Sequence, residues 1–166
     1  MLGFPNPVNE KAARTVAAGV LVLTVTTILL ATLVGTGWLW LTAVLAYGFV
    51  ARVLAGPRLS PLGQVATRVV APRLGAAKLV PGPPKRFAQA MGATMTLVAV
   101  VLHFGFHADI AAVSLLGLVI IAATLESVFA FCIGCAIFNA LMRAGVIPER
   151  VCLECANVTL RAPQAA

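Results

Sequence analysis

The four cysteines of this chain form two Cys-x-x-Cys pairs, Cys132/Cys135 and Cys152/Cys155, with sixteen residues between the pairs. This spacing is typical of a zinc ribbon, in which four thiolates bind Zn²⁺ tetrahedrally. Each pair can also cycle between dithiol and disulfide, which is the chemistry of a thiol relay. A third interpretation treats the cysteines as small packing residues without chemistry. The spacing alone leaves the three interpretations open.

Glu126 lies six residues before the first pair, inside a long apolar stretch. An ionisable group within the hydrocarbon of a membrane is costly and normally faces the protein interior or water. We therefore interpret Glu126 as a proton acceptor or as the charge partner of an arginine, with Arg52 and Arg86 as candidates. Arg86 is the counter-charge that we favour. The alternative is a protonated Glu126 that makes one interhelical hydrogen bond.

The composition indicates the environment in which this chemistry takes place. Hydrophobic residues make up 61% of the 166 residues and charged residues only 10%, whereas soluble proteins carry about 25% charged residues. The mean hydropathy is +1.02. The excess of basic over acidic residues falls between apolar runs, which is typical of multi-span proteins rather than of nucleic-acid binding. The sequence thus predicts an integral membrane protein in contact with the lipid bilayer.

Four apolar stretches are long enough to cross a hydrocarbon core as helices, which takes about 20 residues each. We predict spans at 15–34, 38–54, 87–106 and 110–131. Because the links within each pair of spans are short, an antiparallel four-helix bundle is the simplest packing. The expected fold class is an all-α integral membrane protein.

The basic residues predict the orientation of this bundle. All twelve lysines and arginines precede the first span, follow the fourth, or lie at or between the second and third. The positive-inside rule assigns that side to the cytoplasm. Both termini are therefore expected in the cytoplasm, with the protein in a bacterial inner membrane. We expect the first apolar run to be a retained span and not a cleavable signal peptide, because it is longer than a typical h-region and follows "NEKAAR", which contains an acidic residue.

The segments outside the spans complete the predicted organisation. The connection 55–86 resembles an interfacial helix interrupted at Pro72 and followed by a stiff extended link at 81–84. The last apolar run is too long for one straight span, so we expect a kink or turn near Cys132. The predicted units are an N-terminal motif, two transmembrane hairpins separated by a basic loop, and a tail, at 1–14, 15–54, 55–86, 87–142 and 143–166.

Two further groups of polar residues stand at the ends of spans. In "FPNPVNEKAAR" at 4–14, Asn9 is a candidate helix cap, with Glu10 favoured in the first turn of the helix. At the opposite side, His103, His107 and Asp109 cluster, and two histidines four residues apart share a helix face. Gly105 and the predicted helix end argue against a metal site there, so we interpret this cluster as interfacial polar residues.

The motifs "FPNPVNEKAAR", "PKRFAQ" at 84–89 and "LESVFAFCIGCAIF" at 125–138 resemble the bacterial membrane family known as domain of unknown function 4395. The resemblance covers nearly the whole chain as far as the second cysteine pair. Some members occur with thioredoxin-like or rhodanese-like proteins, which implies thiol or sulfur chemistry. The resemblance adds weight to a set of matched positions: Asn6, Asn9, Glu10, Lys85, Arg86, Glu126, Cys132 and Cys135.

The leading hypothesis is a membrane protein with a cytoplasm-facing thiol centre that exchanges electrons or sulfane sulfur with a soluble thioredoxin- or rhodanese-like partner. In it, Cys132 and Cys135 react, Cys152 and Cys155 act as a mobile shuttle, and Glu126 transfers the proton. One alternative is a non-enzymatic membrane protein whose four cysteines hold a structural Zn²⁺. The other is a small transporter or scaffold, with Glu126 lining a polar path.

Overall fold

A computed structural model describes residues 5–153 of the chain. Its helices are α1 (Glu10–Leu33), α2 (Leu41–Ala55), α3 (Pro61–Val65), α4 (Ala71–Arg73), α5 (Gly82–Phe106), α6 (Asp109–Phe129) and α7 (Ile133–Arg143). Short 3₁₀ turns at Thr36–Trp40, Gly56–Arg58 and Glu149–Val151 and one π-helical turn at Ala66–Val70 join them. Among the described residues the structure is thus almost entirely helical.

Four of the helical stretches are long and apolar enough to cross a membrane: Glu10–Leu33, Thr36–Arg73, Gly82–Phe106 and Asp109–Phe129. The predicted all-α class, with four helices able to span a membrane, is confirmed. The second stretch is longer than a bilayer crossing requires, because it continues beyond α2 through α3 and α4.

The spans pack as a bundle in which α1 lies against α6, α2 against α5, and α5 against α6. Leu39, Ala99 and Leu116 are fully buried in the bundle. Threonines are buried there as well: the hydroxyls of Thr24, Thr27 and Thr96 donate to the carbonyl oxygens four residues earlier. Such a bond satisfies the hydroxyl inside its own helix, so a polar residue can lie at a helix–helix contact.

The starts of α1 and α5 and the ends of α2 and α6 lie at the same end of the bundle. Arg14 of α1 donates to the carbonyl of Ser127 in α6, and Arg86 of α5 donates to the carbonyl of Val53 in α2. We call this end the basic end, because the lysines and arginines of residues 5–153 all lie at it or in the segments attached to it.

A two-stranded antiparallel ribbon closes the basic end. Strand β1 (Val8–Asn9) pairs with β2 (Leu79–Val80), with Val8 opposite Val80. This ribbon joins the residues that precede α1 to the residues that precede α5.

The connection between α2 and α5 differs from its prediction in two details. The helix is continuous through α3, the π-helical turn and α4, and Pro72 lies in its last turn rather than interrupting it. Pro83 and Pro84 are not an extended link, because α5 begins at Gly82 and includes both. Prolines fit the first turn of a helix, whose N–H groups have no partner within the helix.

Candidate functional site at the basic end

The first cysteine pair stands where the chain leaves the fourth span. Ala130 adopts a left-handed conformation (φ 56°) and ends α6, its N–H donating to the carbonyl of Leu125. Cys132 is then extended and caps α7. The helix break predicted near Cys132 is present, and it places the pair at the N-terminus of a new helix.

Cys132 and Cys135 are joined by a disulfide bond across this helix start. The backbone N–H of Cys135 points at the Cys132 sulfur, with 3.3 Å between nitrogen and Sγ. The first N–H groups of a helix have no backbone acceptor and stabilise negative charge. This contact distinguishes the two sulfurs, because the Cys132 sulfur accepts a hydrogen bond from the start of α7.

Helix α7 is held against α5 by close packing. A Cβ added to Gly134 would lie 2.6 Å from the Cα of Ala88, so only glycine permits this approach of the two backbones. One turn later, the rings of Phe138 and Phe87 meet with their centroids 5.7 Å apart. Position 134, between the two cysteines, therefore determines where the disulfide sits relative to α5.

Glu126 forms an ion pair with Lys85, with Nζ and Oε1 2.5 Å apart. Only 10% of the Lys85 side chain and 14% of the Glu126 side chain are exposed. The partner is thus Lys85 and not Arg86, which instead donates to the carbonyl of Val53. Adjacent residues on a helix point about 100° apart, so only one of the two can face α6.

Arg52 adds a second buried cation near this pair. It is only 5% exposed, and it interacts electrostatically with Glu126, as the sequence had suggested for one of two arginines. Its Nε donates to Oε1 of Gln89 at 2.8 Å and its Nη1 to the hydroxyl of Ser60 at 3.2 Å. Its guanidinium also lies over the ring of Phe49, 4.7 Å from the centroid.

Sequence reasoning did not single out Gln89 or Ser60. A usable signal for Gln89 was its spacing, since it follows Lys85 by four residues and so shares a face of α5. Ser60 carried a cap signal, directly before the proline that begins α3, and its hydroxyl accepts from the N–H of Gly63.

The N-terminal motif ties the start of α1 to the start of α5. The side-chain oxygen of Asn6 accepts from the N–H of Gly82 at 2.8 Å, and Glu10 pairs with Lys78 at 2.7 Å. Asn9 caps α1 by accepting from the N–H of Lys11, as predicted. These contacts give Asn6, Asn9 and Glu10 an architectural role at the basic end, away from the disulfide.

A cavity of about 320 Å³ opens beside the disulfide. Its wall comes from α1, α5, α6 and the start of α7, with one ring from α2, Phe49. Most of the wall is apolar, and its polar groups include Gln89, Glu126 and Cys132. Glu126 of the ion pair and Cys132 of the cysteine pair therefore line the same cavity.

The second cysteine pair is described only in part. Cys152 is buried and disulfide-bonded, and Cys155 lies outside the described residues. Within residues 5–153 no three histidine, cysteine or acidic side chains form a metal-binding group. The zinc interpretation needs all four cysteines as thiolates, whereas Cys132 and Cys135 are bonded to each other here.

The polar cluster at the other end of the bundle contains one close contact. His103 Nδ1 and Asp109 Oδ1 are 2.6 Å apart, which joins the end of α5 to the start of α6. His107 follows the end of α5 in a left-handed conformation, so the two histidines do not share a helix face.

A family model described as "Domain of unknown function (DUF4395)" matches residues 8–143. The chain belongs to this family. The predicted resemblance is confirmed, and the match includes the first cysteine pair but ends before the second. No curated protein matches the chain, and no solved structure matches it.

Proposed function

We propose that this protein is a thiol–disulfide oxidoreductase of the bacterial cytoplasmic membrane, and that its Cys132–Cys135 disulfide exchanges with the dithiol of a thioredoxin-like soluble protein. The observation that carries the proposal is the disulfide at the start of α7, with the Cys135 N–H directed at the Cys132 sulfur. This arrangement stabilises one sulfur as a thiolate, which is what a leaving group in disulfide exchange requires.

The two sulfurs have different roles in this proposal. A partner thiolate attacks Cys135 Sγ, the S–S bond breaks, and Cys132 leaves as the thiolate that receives the Cys135 N–H. The second thiol of the partner then displaces Cys135 from the mixed disulfide. The partner leaves with a disulfide, and Cys132 and Cys135 become a dithiol, so electrons and protons balance.

Glu126 is the proton-transfer group in this proposal. Opening and closing a disulfide requires protons to reach and leave sulfur, and Glu126 lines the same cavity as Cys132. Its pairing with Lys85 holds the carboxylate in place. Lys85 thus acts as a positioning residue.

The basic end faces the cytoplasm in this proposal, following the positive-inside rule. The cysteine pair then lies at the membrane surface, where soluble partners reach it. The tail cysteines, Cys152 and Cys155, would serve as a shuttle between partner and pair. A rhodanese-like partner would use the same pair differently, leaving sulfane sulfur on a reduced cysteine as a persulfide.

The test is to trap the exchange intermediate in the host cell. With Cys132→Ser no disulfide forms within the pair, so Cys135 reaches the mixed disulfide by attacking the disulfide of the oxidised partner, and residue 132 cannot reverse this step. Acid quenching and alkylation of the cells before lysis prevent release by the second thiol of the partner. We expect this variant to accumulate a covalent adduct with a thioredoxin-like protein, identified by non-reducing gel electrophoresis and mass spectrometry. Cys135→Ser is the matched control and should accumulate far less.

Labelling the same two variants tests the orientation. A membrane-impermeant maleimide should label the remaining cysteine of the first pair only after the cells are lysed, in a background where Cys152 and Cys155 are serine. Labelling of intact spheroplasts would contradict the cytoplasmic orientation. Absence of an adduct from both single variants would refute the exchange, and a persulfide instead of an adduct would favour the rhodanese-like partner.

A further inference from the structure

The cavity beside the disulfide opens towards lipid. Its wall includes Leu118 and Ile121 of α6, which are 50% and 55% exposed. These two apolar residues lie within a membrane-spanning helix, so their exposed surface faces the hydrocarbon. A ligand that reaches the cavity from this side comes from the bilayer and is lipid-soluble.

The size and polarity of the cavity narrow the class of ligand. Its volume of about 320 Å³ is at the lower end of the range of about 300–1,000 Å³ for small-molecule sites. It accommodates one ring system, with a tail extending through the mouth. Oε1 of Gln89 is taken by Arg52, which leaves the amide nitrogen as a donor for an oxygen of the ligand.

Cys132, one of the two cysteines of the proposed exchange, lines the same cavity. A dithiol that has passed its partner a disulfide must lose two electrons and two protons before the next exchange. A lipid-soluble acceptor of two electrons and two protons, with oxygens for a hydrogen-bond donor, is a quinone. We propose that this cavity binds the head group of a membrane quinone, which reoxidises the Cys132/Cys135 dithiol; this inference rests on the proposed function.

The reaction balances within the site. The thiols of Cys132 and Cys135 lose two electrons and two protons as the S–S bond forms. The quinone takes both electrons and both protons and becomes a hydroquinone. Gln89 donates to one carbonyl oxygen of the ring, and Glu126 relays protons from sulfur to the ring oxygens.

The experiment uses the purified full-length protein in detergent, with Cys152 and Cys155 changed to serine. The protein is reduced, desalted and mixed without oxygen with a short-tailed benzoquinone substituted at every ring carbon, so that thiols cannot add to the ring. Quinone absorbance and intact mass after alkylation are measured together. We expect one hydroquinone for each disulfide formed.

Two alanines of α6 provide matched variants. Ala122 lines the cavity, so Ala122→Phe fills it and should slow quinone-dependent oxidation at least tenfold. Ala111 is exposed near the other end of α6, and Ala111→Phe should oxidise at the unaltered rate. The midpoint of thermal unfolding, followed by circular dichroism in detergent, should be similar in the two variants, which shows that both are folded. Equal oxidation rates in the two variants would overturn the site.

Photolabelling of the unaltered protein with an azido-quinone needs no substitution. Label on α5 and α6 peptides that line the cavity is expected, and label elsewhere contradicts the proposal.

The outcomes distinguish this inference from the proposed function. If the quinone leaves the dithiol reduced while thioredoxin still exchanges with the pair, the quinone site is refuted and the proposed function stands. Oxidation by the quinone without thioredoxin exchange refutes the proposed function and leaves the quinone site standing. A tightly held phospholipid that the quinone does not displace assigns the cavity to lipid and also refutes the inference.

Discussion

The two ends of the bundle differ in how far their charged groups reach inside. At the basic end, Lys85, Glu126 and Arg52 are buried together beside a cavity and a disulfide. At the other end, short turns connect the helices, and one contact between His103 and Asp109 joins two of them. Buried charges cost more free energy than surface charges and persist where their partners or their chemistry require them. We therefore expect the chemistry of this protein at the basic end.

The largest effect is expected from breaking the buried pair on one side only. Lys85→Met leaves Glu126 buried without its counter-ion, which typically lowers the free energy of unfolding by about 3–5 kcal/mol. Denaturant unfolding in detergent, followed by circular dichroism, measures the loss. Lys85→Met/Glu126→Leu, which replaces both charges, should regain most of the stability while thiol exchange remains slow. A stable single variant would show that the pair is not desolvated.

A smaller effect tests the packing that positions the disulfide. Gly134→Ala places a methyl group 2.6 Å from the Ala88 Cα, and overpacking of this kind costs about 1–3 kcal/mol. We expect lower thermal stability and slower disulfide exchange, because α7 must move away from α5. Gly117→Ala in α6 is the matched control, since an added Cβ there meets nothing within 4 Å. Equal behaviour of the two variants would contradict the close packing of α7.

The smallest effect on thiol exchange is expected from a substitution at the end of the bundle opposite the basic end. Asp109→Asn removes the charge that faces His103 but leaves the basic end intact, so the rate of thiol exchange should not change. The rate of disulfide reduction by a soluble dithiol is the measurement. A marked change in that rate would mean that the two ends are coupled, and the contrast between them would no longer locate the chemistry.

The spans were predictable from sequence because a membrane crossing needs a long apolar run, and hydropathy detects such runs directly. The break before α7 was predictable for the same reason, since 110–142 is too long for one crossing. The N-cap at Asn9 followed from local chemistry alone. These features depend on neighbours in the chain rather than on distant contacts.

The content of the site was less predictable because it depends on which helix faces meet. Sequence could not decide between Lys85 and Arg86, since the rotation of α5 against α6 selects the partner. The cavity was invisible as well, because its wall combines side chains from α1, α5, α6 and α7. The sequence also predicts a shorter α5, because Pro83 and Pro84 are expected in an extended link, whereas they lie in the first turn of the helix.

The contact between Arg14 and the end of α6 has a consequence for synthesis. The carbonyl oxygens that accept hydrogen bonds from Arg14 belong to Ser127 and Val128, 113 and 114 residues later in the chain. Gly82 and Lys78, which hold Asn6 and Glu10, also follow the first hairpin. The first helix therefore enters the bilayer before the residues that fix its N-terminus exist. The basic end therefore closes only after the fourth span has been synthesised, and the disulfide site is assembled at the same stage.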